Sequence, residues 1–434
     1  MCFYLHCEVE GALDGDRLGR AVRDAAARHP LLRSRVRDSW WRPRWRAPDV
    51  DPEIQIVPWG GADEGGGRGP SPWRPIDPRR SSGVRLVAIE SAPAEWQVVL
   101  VVHHSVCDGL AGLEFLGDVW NHYHGSAPAP FRTPSRTARR AAAPAEPAAT
   151  GEGAGIATET ARFAGFVPAA LRRGPAGPRS PGPCLLPFRP VWLDRERTAM
   201  LKERAAAAGV SVNDLVVAAV MRVAIGWNEA AGRPAPRVRV TMPASLKPAG
   251  TRAPACIDMG YAFLDRDAAE CADAPGLARS IAAASRWIQE HRAAETFLDT
   301  LALVDRVPPA MRLVTRLPVP FSTAVVSYVG NVGPRMKIAA ERDGGCDLPG
   351  GLRIRSMSGV PPIRPGTRLA VGVVAYDGRL CLTTLCDTAA LGGAAEGILG
   401  EAIPAELERL AASLATGDGD GWRDRTGNGY GPSS

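Results

Sequence analysis

One apolar run passes directly into a polar turn in the first half of the chain: Val98-Val99-Leu100-Val101-Val102-His103-His104-Ser105-Val106-Cys107-Asp108-Gly109. The aliphatic residues show no alternation with polar ones, which is typical of a strand covered on both faces. After Gly109, apolar residues recur at helical spacing until Gly125, a typical helix terminator. The sequence therefore predicts a buried strand, a turn that carries two histidines, and a helix.

Strands and helices alternate on both sides of this turn, which predicts a mixed α/β or α+β protein. The predicted strands are 2–9, 31–36, 84–90, 96–102, 238–242, 324–329, 369–376 and 380–386. The other predicted helices are 15–28, 194–208, 211–227, 275–292, 296–305 and 393–412. Ser211 and Asp214 form a predicted capping box, and Asp377-Gly378 is the strongest hairpin signal in the chain.

Length and composition predict a large globular protein of two half-domains. The chain has 434 residues, of which 45% are apolar and 23% charged, so it exceeds one ordinary core. A Pro/Gly cluster at 174–187 predicts a boundary between an N-terminal half-domain, 1–180, and a C-terminal half-domain, 181–416. Segments 61–70 and 126–160 are predicted to be loop and linker, and the polar tail 417–434 is predicted to be disordered.

Cysteine usage without an evident secretion signal favours a cytoplasmic protein, and the charge bears on its partners. The 52 basic and 46 acidic residues give a net charge of +6, and this Arg-rich excess reflects either coding bias or a surface that attracts acidic or phosphate-bearing partners. We find no motif or aromatic interleaving typical of nucleic-acid binding. The nine cysteines lack metal spacing, and neither a signal peptide nor a long apolar run is evident, which predicts reduced thiols and no membrane span.

The residues of the turn suit proton transfer. A histidine such as His104, held between a buried strand and a helix, can accept a proton from an incoming nucleophile, since its ordinary pKa is about 6.5. Asp108 is suited to bond an imidazole or to pair with an arginine. Gly109 leaves room for backbone or ligand to approach.

Three other interpretations of the turn remain open at this point. A metal site would need His103 and His104 with Asp108, and would recruit residues from the far end of the following helix, His122 and His124. Adjacent strand residues point to opposite faces, and the far end of that helix lies about 20 Å away, so this reading is disfavoured. Cys107 as nucleophile is disfavoured because buried free cysteines are usually inert. The third reading is a pair of structurally satisfied histidines.

The segment His-His-x-x-x-Asp-Gly at 103–109 resembles the active-site motif of the condensation domains of nonribosomal peptide synthetases. Relatives of these domains include chloramphenicol acetyltransferase-like, wax ester synthase-like and polyketide-associated acyltransferases. Further segments are similar to the family in the same order: Gly11–Asp14, Arg28–Val36, Val210–Asp214, Val240–Lys247, Val326–Gly333 and the Asp377-Gly378 hairpin. The resemblance therefore extends over nearly the whole chain.

The resemblance implies two chloramphenicol acetyltransferase-like half-domains in a V-shaped pseudo-dimer, with the active site at their junction. It makes His104 the catalytic residue, while His103 and Asp108 support the loop and Arg33 is the expected ion-pair partner of Asp108. Candidate residues of the substrate tunnel are Ser327 and Asn331. No metal and no resident cofactor are expected, because coenzyme A or a carrier's phosphopantetheine would arrive as part of the donor.

The implied function is transfer of an acyl group from a carrier-protein or coenzyme A thioester to an amine or hydroxyl, in secondary metabolite biosynthesis. An Asp-Phe-Gly-Trp-like loop of chain-elongating domains is missing, which favours a stand-alone enzyme supplied with its donor in trans. Lys247 replaces the family's arginine, so the contact made there is in doubt. The alternatives are an inactive binding module that recruits partners to a carrier-bound intermediate, or a related epimerisation, cyclisation or dehydration.

Overall fold

The computed structural model describes residues 1–37, 43–46, 48–58, 71–132, 167–174, 185–248, 250–291, 293–295, 320–338, 341–342, 345–348, 351–364 and 366–415. Several predicted segments fall outside these residues: the loop 61–70, most of the linker 126–160, the helix 296–305 and the tail 417–434. The predicted half-domain boundary at residue 180 also falls outside them and stays a prediction.

The described residues form strands and helices in mixed order. The strands are β1 (Cys2–Glu10), β2 (Val36–Arg37), β3 (Arg44–Trp45), β4 (Glu53–Val57), β5 (Val84–Ala92), β6 (Glu95–His103), β7 (Arg189–Leu193), β8 (Arg237–Ser245), β9 (Met259–Asp267), β10 (Ala324–Asn331), β11 (Glu341–Arg342), β12 (Gly345–Leu348), β13 (Leu352–Val360), β14 (Leu369–Tyr376) and β15 (Arg379–Cys386). The helices are α1 (Gly15–Ala27), α2 (Gly109–His124), α3 (Arg195–Ala207), α4 (Val212–Ala230), α5 (Ala268–Ala272), α6 (Ala274–Glu290), α7 (Gly333–Met336), α8 (Thr388–Leu391) and α9 (Ala395–Ala415).

Two large sheets organise these elements. The first has the strand order β11-β12-β13-β1-β6-β5-β4, and the second has the order β7-β15-β14-β10-β8-β9. Strands β11 to β13 come late in the chain, yet β13 pairs antiparallel with β1 in the first sheet. The later half of the chain therefore contributes strands to the sheet of the earlier half, a crossover that the sequence analysis did not predict.

The two sheets meet where β13 and β14 lie side by side. Gly359 on β13 and Gly372 on β14 come so close that a Cβ atom on Gly372 would overlap the carbonyl oxygen of Gly359. Only a residue without a side chain allows this approach of two backbones. The glycine pair therefore fixes how closely the two sheets join, beside the cavities described below.

The strand that precedes the histidines is buried on both faces, as predicted. Leu100 belongs to the apolar core packed against α1 and α2, whereas Val99 and Val101 belong to a second apolar cluster on the opposite face. Packing on both faces therefore fixes the position of β6, and with it the start of the turn that carries the histidines.

Other local predictions divide into confirmed and wrong ones. The Ser211–Asp214 capping box is present, and the hairpin turn at Asp377 and Gly378 has φ angles of 51° and 71°. The predicted strand 31–36 is wrong: Pro30–Arg33 forms a 3-10 helix, because Pro30 presets the helical φ angle at its first position. No single described helix is long and apolar enough to cross a membrane, and α3 with α4 would qualify only as a pair bent by 97°.

Candidate functional site

The candidate site is built on the turn between β6 and α2. His103 is the last residue of β6, and Asp108 is the N-cap of α2, whose first residue is Gly109. The helix forms at this point because the Asp108 side chain accepts a hydrogen bond from the Ala111 amide at 2.8 Å. The turn is thus fixed by strand packing at one end and by a helix cap at the other.

His104 is half-buried and presents its ring to a cavity between the two sheets. Its ring meets the edge of Phe3 at a centroid distance of 5.5 Å and an interplanar angle of 70°. The same cavity is lined by residues of both sheets, among them Gly359 of β13 and Val374 of β14. The imidazole therefore lies where the two sheets face each other.

The surroundings of His104 favour its neutral form. Burial lowers the pKa of the imidazole below its ordinary value, and the positive charge of Arg364 acts in the same direction. The backbone carbonyls of His104 and Cys107 oppose that lowering of the pKa. A neutral imidazole at neutral pH has one ring nitrogen that can accept a proton.

Two cavities share a wall beside this imidazole. The first, of about 540 Å³, extends from Asp108 along α4, α6 and β8, and the second, of about 60 Å³, is the cavity that His104 lines. Residues common to both linings are Gly109, Pro243, Met259, Ser327 and Val329. A Cβ atom on Gly109 would have no atom within 4 Å, so the glycine leaves open space at the shared wall. The arrangement allows two ligands to meet next to His104.

The two predicted tunnel residues lie in different places. Ser327 on β10 lines both cavities. Asn331, four residues further along, is exposed at the end of β10 and lines neither cavity. A role of either residue in a substrate tunnel stays a prediction.

His103 supports the turn and does not face the cavities. Its Nδ1 atom lies 2.7 Å from the hydroxyl of Ser105, and its Nε2 atom lies 3.1 Å from the Met1 amino group. Burial lowers its pKa to about 4, so the ring is neutral at physiological pH. These contacts agree with the supporting role that the resemblance implies for His103.

The expected ion pair between Asp108 and Arg33 is wrong. The Asp108 carboxylate, only 4% exposed, accepts hydrogen bonds from the amides of Ala111 and Asp258, each at 2.8 Å. Arg33 instead pairs with Asp51 at 3.0 Å in a partly exposed position. Two backbone amides satisfy the aspartate, so it needs no cationic partner, and the second amide ties the segment before β9 to the turn.

The two chemical alternatives for the turn receive no support from its geometry. Cys107 is fully buried, and burial raises the pKa of its thiol well above the ordinary value, which disfavours the nucleophilic thiolate. Within the part of the chain that the structure describes, no group of three or more His, Cys, Asp or Glu residues is placed to hold a metal ion.

Lys247, the residue that departs from the family pattern, lies behind the turn. Its Nζ atom is 3.8 Å from a carboxylate oxygen of Glu114 on α2, and the two side chains are 7% and 15% exposed. Burial raises the pKa of Glu114. The lysine therefore links the end of β8 to α2, and the distance is longer than a direct hydrogen bond.

Arg364, which was not predicted from the sequence, lines the His104 cavity. Its guanidinium carbon lies 4.1 Å from the centre of the Tyr261 ring. The sequence did carry a signal, because an arginine placed between Pro361-Pro362 and Pro365 sits on a conformationally restricted loop.

Sequence comparisons find two relatives that match part of the chain. No protein-family model matches the chain. Two curated proteins of Mycobacterium tuberculosis, the uncharacterized proteins MT2362 and Rv2305 from two strains, are 27% identical over 255 residues, which is 56% of this chain. The match spans 57% of the length of each relative, so the chain aligns with little more than half of them.

Solved structures similar to the chain include condensation domains and a polyketide synthase associated protein. The first condensation domain of the calcium-dependent antibiotic synthetase, with a substrate analogue, gives a TM-score of 0.63 at 19% identity and covers 95% of this chain and 92% of that one. A starter condensation domain variant of rhizomide synthetase, with C8-CoA, gives 0.61 at 14% identity, covering 95% and 89%. Polyketide synthase associated protein 5 of Mycobacterium tuberculosis gives 0.59 at 17% identity, covering 95% and 94%. The chain therefore has the fold of condensation domains.

Proposed function

We propose that this chain, which has the condensation-domain fold, is a stand-alone acyltransferase of secondary metabolism. It moves an acyl group from a carrier-protein or coenzyme A thioester to an amine or hydroxyl acceptor, giving an amide or an ester. His104 is the general base, and the chain needs neither a metal nor a resident cofactor for this chemistry. Its partners are the acylated carrier or acyl-coenzyme A and a small-molecule acceptor.

The observation that carries the proposal is the position of His104 beside the shared wall of two cavities. Acyl transfer needs two substrates held together next to a base, and positioning of this kind supplies much of the rate enhancement. One cavity is available for each substrate, and Gly109 and Ser327 lie at the shared wall between them.

The reaction balances with the imidazole alone as proton carrier. The acceptor N–H or O–H gives its proton to the neutral His104 while its nitrogen or oxygen attacks the thioester carbonyl. The tetrahedral intermediate then collapses, the carbon–sulfur bond breaks, and the imidazolium returns the proton to the leaving thiolate. General-base assistance of this kind contributes about 10²–10⁴-fold.

Charges at the larger cavity suit a phosphate-bearing donor. Lys202 on α3 and Arg335 on α7 line that cavity, and both are exposed to solvent. Coenzyme A and phosphopantetheine carry phosphate groups, which exposed cations attract and orient. We therefore assign the larger cavity to the donor and the His104 cavity to the acceptor.

The test is mass spectrometry of reactions that combine acyl thioesters, both coenzyme A and carrier-bound, with pooled amines and alcohols. The wild type, His104→Ala and a matched control, His124→Ala, are compared. His124 belongs to the last turn of α2, lines neither cavity and has its Nδ1 atom within hydrogen-bond distance of the Ser126 hydroxyl. The proposal expects a product from the wild type and the control that is lost in His104→Ala.

The alternative to catalysis is a binding module. Specific binding of acylated carrier by wild type and His104→Ala alike, with no product from any pair, would replace the proposed function by recruitment. A product from carrier-bound substrate without any acceptor would instead indicate a related rearrangement on the same scaffold.

A further inference from the structure

The acceptor cavity contains one cation on a restricted loop. The loop between β13 and β14 includes Pro361, Pro362 and Arg364, all of which line the cavity. Each proline fixes its own φ angle, and the residue before a proline is held in extended conformations, so Pro365 restricts Arg364 as well. The guanidinium is thus carried by a backbone with little conformational freedom.

The guanidinium is placed by aromatic packing and leaves its donors available. It stacks over the ring of Tyr261, on β9, at 4.1 Å from the ring centre. Among the residues that the structure describes, none forms an ion pair with Arg364. Stacking occupies the face of a guanidinium and leaves the N–H groups at its edge free to bond a planar anion.

Most of the cavity around this cation is apolar. Its walls include Phe3, Leu5, Val325 and Val360, and the polar exceptions are few. A half-buried charge among apolar walls is destabilised until an opposite charge enters, and the low dielectric then strengthens the pair. A carboxylate fits the edge of a guanidinium with two parallel hydrogen bonds.

Resting on the function proposed above, we propose that Arg364 makes the site selective for acceptors that carry a free carboxylate, as amino acids and hydroxy acids do. The carboxylate binds the edge of the guanidinium, and the amine or hydroxyl of the same molecule reaches the imidazole of His104 in the same cavity. Arg364 is then a binding residue that sets acceptor specificity, while the proton is still taken by His104.

A different role for Arg364 makes a different prediction. A guanidinium that stabilised the oxyanion of the tetrahedral intermediate would assist every acceptor equally, and its loss would lower kcat for all of them. A guanidinium that binds the acceptor carboxylate discriminates between acceptors, and its loss acts through KM on acids alone.

The experiment is a competition between matched acceptors. Each amino acid is paired with its own carboxamide, and each hydroxy acid with its hydroxyamide, in the presence of a donor that supports transfer. We expect the wild type to favour the acid by about 10- to 100-fold in kcat/KM, which is the range for a hydrogen bond to a charged group. In Arg364→Gln this preference falls to near one, mainly through a higher KM for the acid.

The matched control is Arg20→Gln, an exposed arginine of α1 remote from the cavity lining, which keeps the wild-type preference. An equal loss of kcat for acid and carboxamide in Arg364→Gln would overturn the inference, as would a wild type without preference. Unfolding midpoints of the two variants show whether both are folded.

Failure of the inference and failure of the proposed function give separate results. Acyl transfer to neutral acceptors without preference for acids would support the proposed acyltransferase function and overturn the role of Arg364. If no acceptor is acylated, the carboxylate selectivity is tested by calorimetry, which compares the binding of N-acetyl amino acids and their carboxamides to wild type and Arg364→Gln. Tighter binding of the acid by the wild type alone supports carboxylate selectivity, and equal binding overturns it.

Discussion

Replacing Asp108 by alanine removes the acceptor of two buried backbone hydrogen bonds. One comes from the Ala111 amide at 2.8 Å and caps α2, and the other comes from the Asp258 amide at the same distance and holds the segment before β9. The carboxylate is 4% exposed, so water has little access to replace it. The Asp108 amide also donates to the carbonyl of Cys256 at 3.2 Å, which brings the same segment against the turn.

The expected cost follows from these contacts. Loss of a helix N-cap costs about 1 kcal/mol, and a buried amide left without an acceptor costs about 1–3 kcal/mol. Asp108→Ala should therefore lower the free energy of unfolding by about 2–4 kcal/mol. Asp194→Ala is the matched control, since Asp194 is exposed and caps α3 with a single bond to the Arg197 amide, and about 1 kcal/mol is expected there.

Arg33→Ala tests whether Arg33 pairs with Asp51, as this structure shows, or with Asp108, as the family resemblance implied. Its ion pair with Asp51 joins side chains that are 29% and 49% exposed, and such pairs contribute about 0–1 kcal/mol. Urea unfolding gives the three free energies, and hydrogen exchange at the Ala111 and Asp258 amides shows whether the loss is local. The reasoning is refuted if Arg33→Ala costs as much as Asp108→Ala, or if Asp108→Ala costs no more than Asp194→Ala.

Three further substitutions test the shared wall of the cavities, the junction of the two sheets and a buried histidine of β1. Gly109→Leu fills the open space at the shared wall, so we expect the rate of acyl transfer to fall at least tenfold. Gly109→Ala should stay active, and both variants should unfold near the wild-type urea midpoint. Equal activity of the two variants would contradict this. Gly372→Ala forces its methyl against the Gly359 carbonyl and should cost about 1–3 kcal/mol in unfolding free energy, and an unchanged value would mean that the sheets do not meet there. Burial lowers the pKa of His6, whereas the unfolded chain titrates at its ordinary value of 6.5, so the unfolding free energy should fall as the pH drops below about 6.5. His6→Gln should show a flatter pH dependence, and an unaltered slope would assign the effect to other groups.

Local features of the fold were predictable where a short stretch of sequence favours one backbone conformation strongly. The unbroken aliphatic run before His103 required a strand covered on both faces, and its side chains do enter two apolar clusters. Asp377-Gly378 required a tight turn, because glycine accepts the positive φ angle there at little cost. The Ser211–Asp214 capping box marked a helix start through two reciprocal hydrogen bonds.

Features that depend on distant parts of the chain were not predictable from local pattern. The pairing of β13 with β1 joins residues about as far apart in sequence as Cys7 and Met357, and no periodicity specifies such a partner. The partner of Asp108 could not be inferred either, because backbone amides that satisfy a carboxylate leave no mark in the sequence. Arg364 lines the cavity with its guanidinium over the ring of Tyr261, a residue about 100 positions earlier in the sequence, and no local pattern specifies that contact.

The most direct measurement is the pH dependence of single-turnover acyl transfer by wild type and His104→Ala, with the donor and acceptor found in the mass-spectrometric screen. Burial lowers the pKa of His104 below 6.5, so the neutral base persists at neutral pH and the wild-type rate should fall only as the pH drops through that lowered pKa. His104→Ala should be about 10²–10⁴-fold slower at pH 7 and should lose this acidic limb. A variant that keeps the wild-type rate and pH profile would contradict the assignment of His104 as the base.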